Sequence, residues 1–180
     1  LSGDDDNDNI TGSAFADTIM GGDGNDTITG GALADTLTGG DGSNRFAYAA
    51  TDFGANAAAQ NATVVAGTLD TITDFKNTGV ATTTDYIGGG VFSTSAFTNT
   101  ASVAASGYAT YALALAAAEG SANGAAFLAA VGSGTSWTAY LFQNTTLAST
   151  SDVTAAVQIG ATGQFGTAAL ANAAIIQAQI

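Results

Sequence analysis

The chain has 180 residues, 15 acidic against two basic (Arg45 and Lys76), a formal net charge of −13, 24 glycines and no Pro, Cys or His. Lacking Cys and His, it has no disulfide framework, no thiolate or imidazole zinc site and no Ser-His-Asp or Cys-His nucleophile. Two cations cannot displace the counterions of a polyphosphate, so nucleic acid is excluded as a partner. The content is 46% hydrophobic, with Phe, Tyr, Ile and Leu spread along the chain. That is too apolar for a solvated acidic coil, yet no run of 18 apolar residues is present to insert into a membrane. The first residues, Leu1-Ser2-Gly3-Asp4, carry no initiator Met, basic n-region or apolar h-region. The expectation is therefore a piece of something longer, or a processed product.

From Gly3 the chain repeats every nine residues, five times: GDDDNDNIT from Gly3, GSAFADTIM from Gly12, GGDGNDTIT from Gly21, GGALADTLT from Gly30 and GGDGSNRFA from Gly39. The sixth place is Asp8, Asp17, Asp26, Asp35 and Asn44, and the eighth is Ile10, Ile19, Ile28, Leu37 and Phe46. One apolar residue between polar neighbours suits a three-residue strand with a single inward side chain. The glycine-rich half turns the chain through positive φ at small steric cost. Two units make one coil, and successive coils stack as parallel strands. Odd loops (Gly3–Asp8, Gly21–Asp26, Gly39–Asn44) then share one edge, and even loops (Gly12–Asp17, Gly30–Asp35) the other. Asp8 is expected over Asp26, and Asp17 over Asp35, about one strand spacing, ~5 Å, apart. Nine of the 15 acidic residues lie in the first 45 positions. A hard divalent cation relieves that crowding, and calcium suits carboxylates and loop carbonyls better than magnesium does.

The run GGDGNDTIT at Gly21–Thr29 resembles the RTX nonapeptide G-G-x-G-x-D-x-U-x, and the resemblance covers residues 3–47. It implies a parallel β-roll with calcium between adjacent loops. Carboxylates would come from Asp8, Asp17, Asp26 and Asp35, with Asn44 a weaker fifth. The loop residues Gly3, Asp4, Asp6, Gly12, Gly21, Gly22, Asp23, Gly24, Gly30, Gly31, Gly39, Gly40, Asp41 and Gly42 would complete the sites. Asp6, Phe15 and Leu33 depart from the pattern, standing where the fourth-place glycine is expected.

After Phe46 the period stops. Asp70-Thr71-Ile72-Thr73-Asp74-Phe75, followed by Asp85-Tyr86-Ile87, is similar to the segment that follows the roll in serralysin-type secreted proteases and bacterial surface-layer proteins. Either Asp70, Asp74 or Asp85 ligates a further calcium, or Ile72 points inward from a strand whose acids face water. Tyr108–Glu119 is rich in helix formers and is followed by Gly120, so a helix is expected there. Residues 137–142, 153–159 and 175–180 alternate as strands, and the aromatic run from Trp137 is expected in the core. Glu119 is the only Glu, and no acid pair of glycosidase type stands apart from the loops, so no active site is expected.

The expected fold class is all-β: a parallel β-roll over 1–47 and a β-rich cap with about one helix over 48–180. The resemblance implies a non-enzymatic, calcium-binding structural module at the carboxyl end of a secreted, extracellular or cell-surface protein. Its transient partner would be a type I ABC transporter that reads an uncleaved signal in 167–180. The Ala/Thr-rich, Lys-poor composition favours a surface-layer protein able to self-assemble into a lattice. The tail of a secreted hydrolase (metalloprotease or lipase) or of an adhesin is the alternative.

Overall fold

The computed structural model describes residues 1–49, 52, 69–75, 85–88, 107–119, 126–147 and 150–160. The repeats form six strands: β1 (Ser2–Asp5), β2 (Asn9–Thr11), β3 (Thr18–Asp23), β4 (Thr27–Thr29), β5 (Thr36–Asp41) and β6 (Arg45–Ala47). Strands alternate between two sheets, β1-β3-β5 and β2-β4-β6, and every neighbouring pair is parallel. Ile10 lies beside Ile28 and Ile19 beside Leu37, a step of 18 residues per coil. The odd and even loops therefore occupy opposite edges, as the period predicts.

Strand alternation turns every eighth-place residue inward. Ile19, Ile28, Leu37 and Phe46 are completely buried, each contributing about 1.5–3 kcal/mol of hydrophobic stabilisation. Ile10 belongs to the outermost of the described coils and is only partly covered.

The sheets run on beyond the repeats. β7 (Thr71–Ile72) lies parallel to β5 with Ile72 beside Leu37, and β8 (Tyr86–Gly88) lies parallel to β6 with Ile87 beside Phe46. Residues 70–75 and 85–88 thus build a fourth coil on the same stack. The helix α1 (Tyr111–Glu119) precedes β9 (Ala126–Ser133), β10 (Ser136–Leu147) and β11 (Thr150–Ile159). β11 joins β7 in parallel, and β10 and β9 follow antiparallel, giving one sheet of order β1-β3-β5-β7-β11-β10-β9.

The aromatic run divides by strand period. Trp137, Ala139 and Leu141 join the roll's core with Val157 and Ile159, whereas Tyr140 and Phe142 turn to the opposite face, under Ala114 and Ala118 of α1. The helix starts three residues later than its composition predicts. Tyr108 is tied to β9 instead, donating to the Ala130 carbonyl and accepting from Gly132 N–H. Thr110 Oγ1 then accepts from Leu113 N–H at the helix start, an N-cap bond. β9 carries no alternation legible in its sequence, because both its faces meet apolar neighbours: Ala130 in the roll core, Phe127 and Ala129 under the helix. The strand expected over 175–180 lies outside the described residues.

Candidate metal centre

The aspartates of the sixth place form a ladder on each edge. On the first, Asp8 N–H donates to Asp26 Oδ1 (2.9 Å), Asp26 N–H to Asn44 Oδ1 (2.9 Å) and Asn44 N–H to Asp85 Oδ1 (2.8 Å). On the second, Asp17 N–H donates to Asp35 Oδ1 and Asp35 N–H to Asp70 Oδ1, both at 2.8 Å. One oxygen of Asp26, Asp35, Asp70 and Asp85 is thus occupied in joining coil to coil, a charge-assisted bond of the stronger kind.

The second oxygen has a different fate. Oδ2 of Asp8, Asp26 and Asp35 is buried without a hydrogen-bond partner, a costly condition for an ionised carboxylate lacking a counter-charge. Burial pushes the Asp35 carboxyl above its usual range, although the Asp17 N–H works against that. Asp17 differs, because its Oδ2 accepts from Ser13 Oγ (2.8 Å) and Ser13 N–H (2.6 Å). Those two bonds hold its carboxyl below the usual range.

Only glycine lets the chain pass this close to these oxygens. A Cβ on Gly21 would strike Asp26 Oδ2 and the Gly39 carbonyl oxygen, and one on Gly3 would meet Asp8 Oδ2 and the Gly21 carbonyl oxygen. First-place glycines therefore admit the close approach of a carboxylate oxygen and, at Gly3, Gly12 and Gly21, of a carbonyl from the next coil, where no side chain would fit. Gly12 and Gly30 stand likewise beside Asp17 and Asp35. In every unit but the second, where Ser13 and Phe15 stand, the second and fourth places take positive φ, at Gly22 (117°) and Gly24 (138°) for example, and Asp4, Asp6 and Leu33 adopt it without being glycine. The carbonyls of Asp4, Asp6, Gly22 and Gly24 then face Gly22, Gly24, Gly40 and Gly42 of the next coil, and that of Ser13 faces Gly31. Asp23 and Asp41 pair in register, with exposed side chains at the end of the strands.

Ile72 points inward from β7, as one of the two readings has it, but Asp70 and Asp85 do not face water. Asp70 is 5% exposed and Asp85 completely buried. Burial drives the Asp70 carboxyl to about 7, despite the Asp35 N–H that donates to its Oδ1. Asp74 accepts from Gly39 N–H and Gly40 N–H, one on each oxygen, both at 2.8 Å. A second ladder escaped the sequence reading: Asn7 Oδ1 accepts from Asn25 N–H and Asn25 Oδ1 from Ser43 N–H. Its signal was the fifth place, Asn in two of the three odd units.

Among the described residues no three acidic side chains converge. A cation here must take one or two carboxylate oxygens and complete its shell with carbonyls, a donor set suited to calcium. The orphaned Oδ2 atoms, and the carbonyls that approach beside them at Gly3 and Gly21, fit that ion. Fold and site together define a calcium-binding repeat module. Residues 2–37, and again 34–49, match the family model of the RTX calcium-binding nonapeptide repeat (4 copies), so this part of the chain consists of RTX repeats. No curated protein matches the chain.

Proposed function

We propose that three calcium ions sit between adjacent loops of the roll. Two would lie on the first edge, between the loops of Asp8 and Asp26 and between those of Asp26 and Asn44. One would lie on the second, between the loops of Asp17 and Asp35. Oδ2 of Asp8, Asp26 and Asp35 would be the anionic ligand, and carbonyls of the loops running from Gly3, Gly12, Gly21, Gly30 and Gly39 would supply the remainder. When bound, calcium supplies the positive charge that the carboxylates lack. The observation that carries this reading is the set of buried, partnerless Oδ2 atoms recurring at the repeat's own phase.

The module is structural: it folds on calcium, and binding free energy becomes folding free energy. Its place would be the carboxyl end of an extracellular protein exported unfolded by a type I transporter. Cytosolic calcium is too scarce to fill weak sites, whereas millimolar calcium outside fills them. The Ala/Thr-rich, Lys-poor composition supports a surface-layer protein within that class. Native mass spectrometry in calcium tests the metal reading, with three bound ions expected and none overturning it. Deleting 175–180 from the full-length protein tests the export reading. Secretion should stop while calcium binding by residues 3–47 persists, and normal secretion would refute the signal.

A further inference from the structure

β5 loses one of its neighbours before it ends. On one side it pairs with β3 from Thr36 to Asp41, and Gly22 lies in register with Gly40. On the other, β7 pairs only with Thr36 and Leu37. One place farther on, Thr38 and Thr73 join through their hydroxyls (2.8 Å). Past them a side chain does the work of a strand: Asp74 accepts Gly39 N–H on Oδ1 and Gly40 N–H on Oδ2, both at 2.8 Å. Asp74 follows Thr73 as Gly39 follows Thr38, so it stands where the repeat calls for glycine. A glycine there would have no side chain to receive the two N–H groups, and a carboxylate receives them by charge-assisted bonds of the stronger kind.

A planar trans peptide points its N–H and its C=O in opposite directions. Asp74 follows β7, which lies across β5 from β3. With Gly40 N–H held on that side, the Gly39 carbonyl is turned toward β3, where its oxygen closes on Gly21. Asp26 Oδ2, buried and without a partner, closes on the same glycine. Those two oxygens belong to the proposed ion between the loops of Asp26 and Asn44. The Asn44 loop is also the one of the five that brings no sixth-place carboxylate. We propose that Asp74 is a positioning residue for this ion: from behind the Gly39–Gly40 peptide it aims the Gly39 carbonyl at the metal and polarises it. Hydrogen-bonded dipoles strengthen one another in a low dielectric, so a carboxylate on the N–H of this peptide enriches its carbonyl oxygen. The charge that Asn44 lacks thus reaches the ion through the backbone. Asp74 does not ligate calcium, because both its oxygens are turned onto N–H groups on the far side of the peptide.

The proposal rests on the calcium reading above, and one series separates the two. Calcium is titrated ion by ion, followed by native mass spectrometry, in the parent chain, Asp74→Asn, Asn44→Asp and the double variant. Asp74→Asn should keep the parent's number of ions at saturating calcium and weaken one of them about tenfold, a usual cost of losing the group behind a metal ligand. The other ions should keep their dissociation constants. The weakened ion should be the one that Asn44→Asp tightens, so that in the double variant both changes fall on one constant. A merely structural role would weaken every ion alike, because binding and folding are coupled, and that result overturns the proposal. So does an unchanged constant, and so does loss of the ion at saturating calcium, which would make Asp74 a ligand. Should Asp74→Asn not fold, Asn44→Asp is compared with the double variant, and equal constants or a double variant that does not fold overturn the proposal. The calcium reading fails separately: Asp26→Asn with the parent's ions and constants removes it, whatever Asp74→Asn does.

Discussion

Asp26 and Asn44 occupy equivalent places one coil apart and differ by a single atom. Asp26 presents a buried oxygen without a partner, whereas Asn44 presents Nδ2 beside Gly39 and spends it on the Gly40 carbonyl (3.4 Å). Asp26 also borders two of the proposed ions and receives the Asp8 N–H. Asp26→Ala should therefore remove calcium from both positions and leave that N–H unmatched, costing about 1.5–3 kcal/mol for the bond alone. Asn44→Ala should do less harm to binding, because no charge is lost. Asn44→Asp should tighten binding on this edge, since an anionic oxygen replaces an amide that repels the ion. Calorimetric titration of the three variants decides the matter, and an Asp26→Ala chain with the parent's stoichiometry and affinity would show the loop assignment to be wrong.

At the scale of elements, a stack of single inward residues makes each strand depend on its neighbours. Ile28 is completely buried between Ile10 and Phe46. Ile28→Ala should cost about 2–5 kcal/mol by cavity formation, visible as a lower urea midpoint in saturating calcium. The helix and its sheet carry a different liability, an aromatic group of Tyr108, Tyr111 and Tyr140 with Phe127 and Phe142. Burial raises the phenol pKa of all three tyrosines. A raised phenol contributes stability that is complete below its unfolded value of ~10 and is lost as pH climbs toward the folded value. The cap should therefore loosen as pH rises above about 10, followed by tyrosinate absorbance and Trp137 fluorescence, and Tyr111→Phe should flatten that loss. The strands that the sequence made legible are those with a period. Nine-residue spacing located five strands, β2 to β6, and both edges, and alternation located β10 and β11; β1 lies in what the spacing gave as the first loop. β9 was hidden because Ala and Val serve either face of a doubly covered strand, and the first turn expected of α1 was lost to a bridge from Tyr108. At the site, the glycines and aspartates were legible as a set. The use of Oδ1 as a link between coils, and the places of Asp70 and Asp85 in the ladders, needed the insertions at 49–69 and 76–84 to be bridged in space.

For the whole molecule, the long sheet makes the cap's strands an extension of the roll, with β7 the only strand between β5 and β11. Whatever orders the repeats should therefore order what pairs beyond them. Without calcium the repeats bring buried carboxylate oxygens together in a chain of net charge −13, with few interior apolar residues to oppose the repulsion. Each site filled at a hundredfold excess over its dissociation constant adds about 2.7 kcal/mol to the folded state. Circular dichroism of the calcium-free chain should show little β-structure, rising cooperatively as calcium is added. Sodium chloride at equal ionic strength should not substitute, because screening acts on solvent-exposed charge and leaves a buried oxygen without a ligand. Magnesium should be a poor replacement, since it holds its water and requires octahedral geometry that a flexible carbonyl loop does not impose. A β-spectrum unchanged in excess chelator, or fully restored by sodium chloride alone, would show that apolar stacking and general screening suffice. Calcium would then be an addition to a finished fold rather than the condition for forming it.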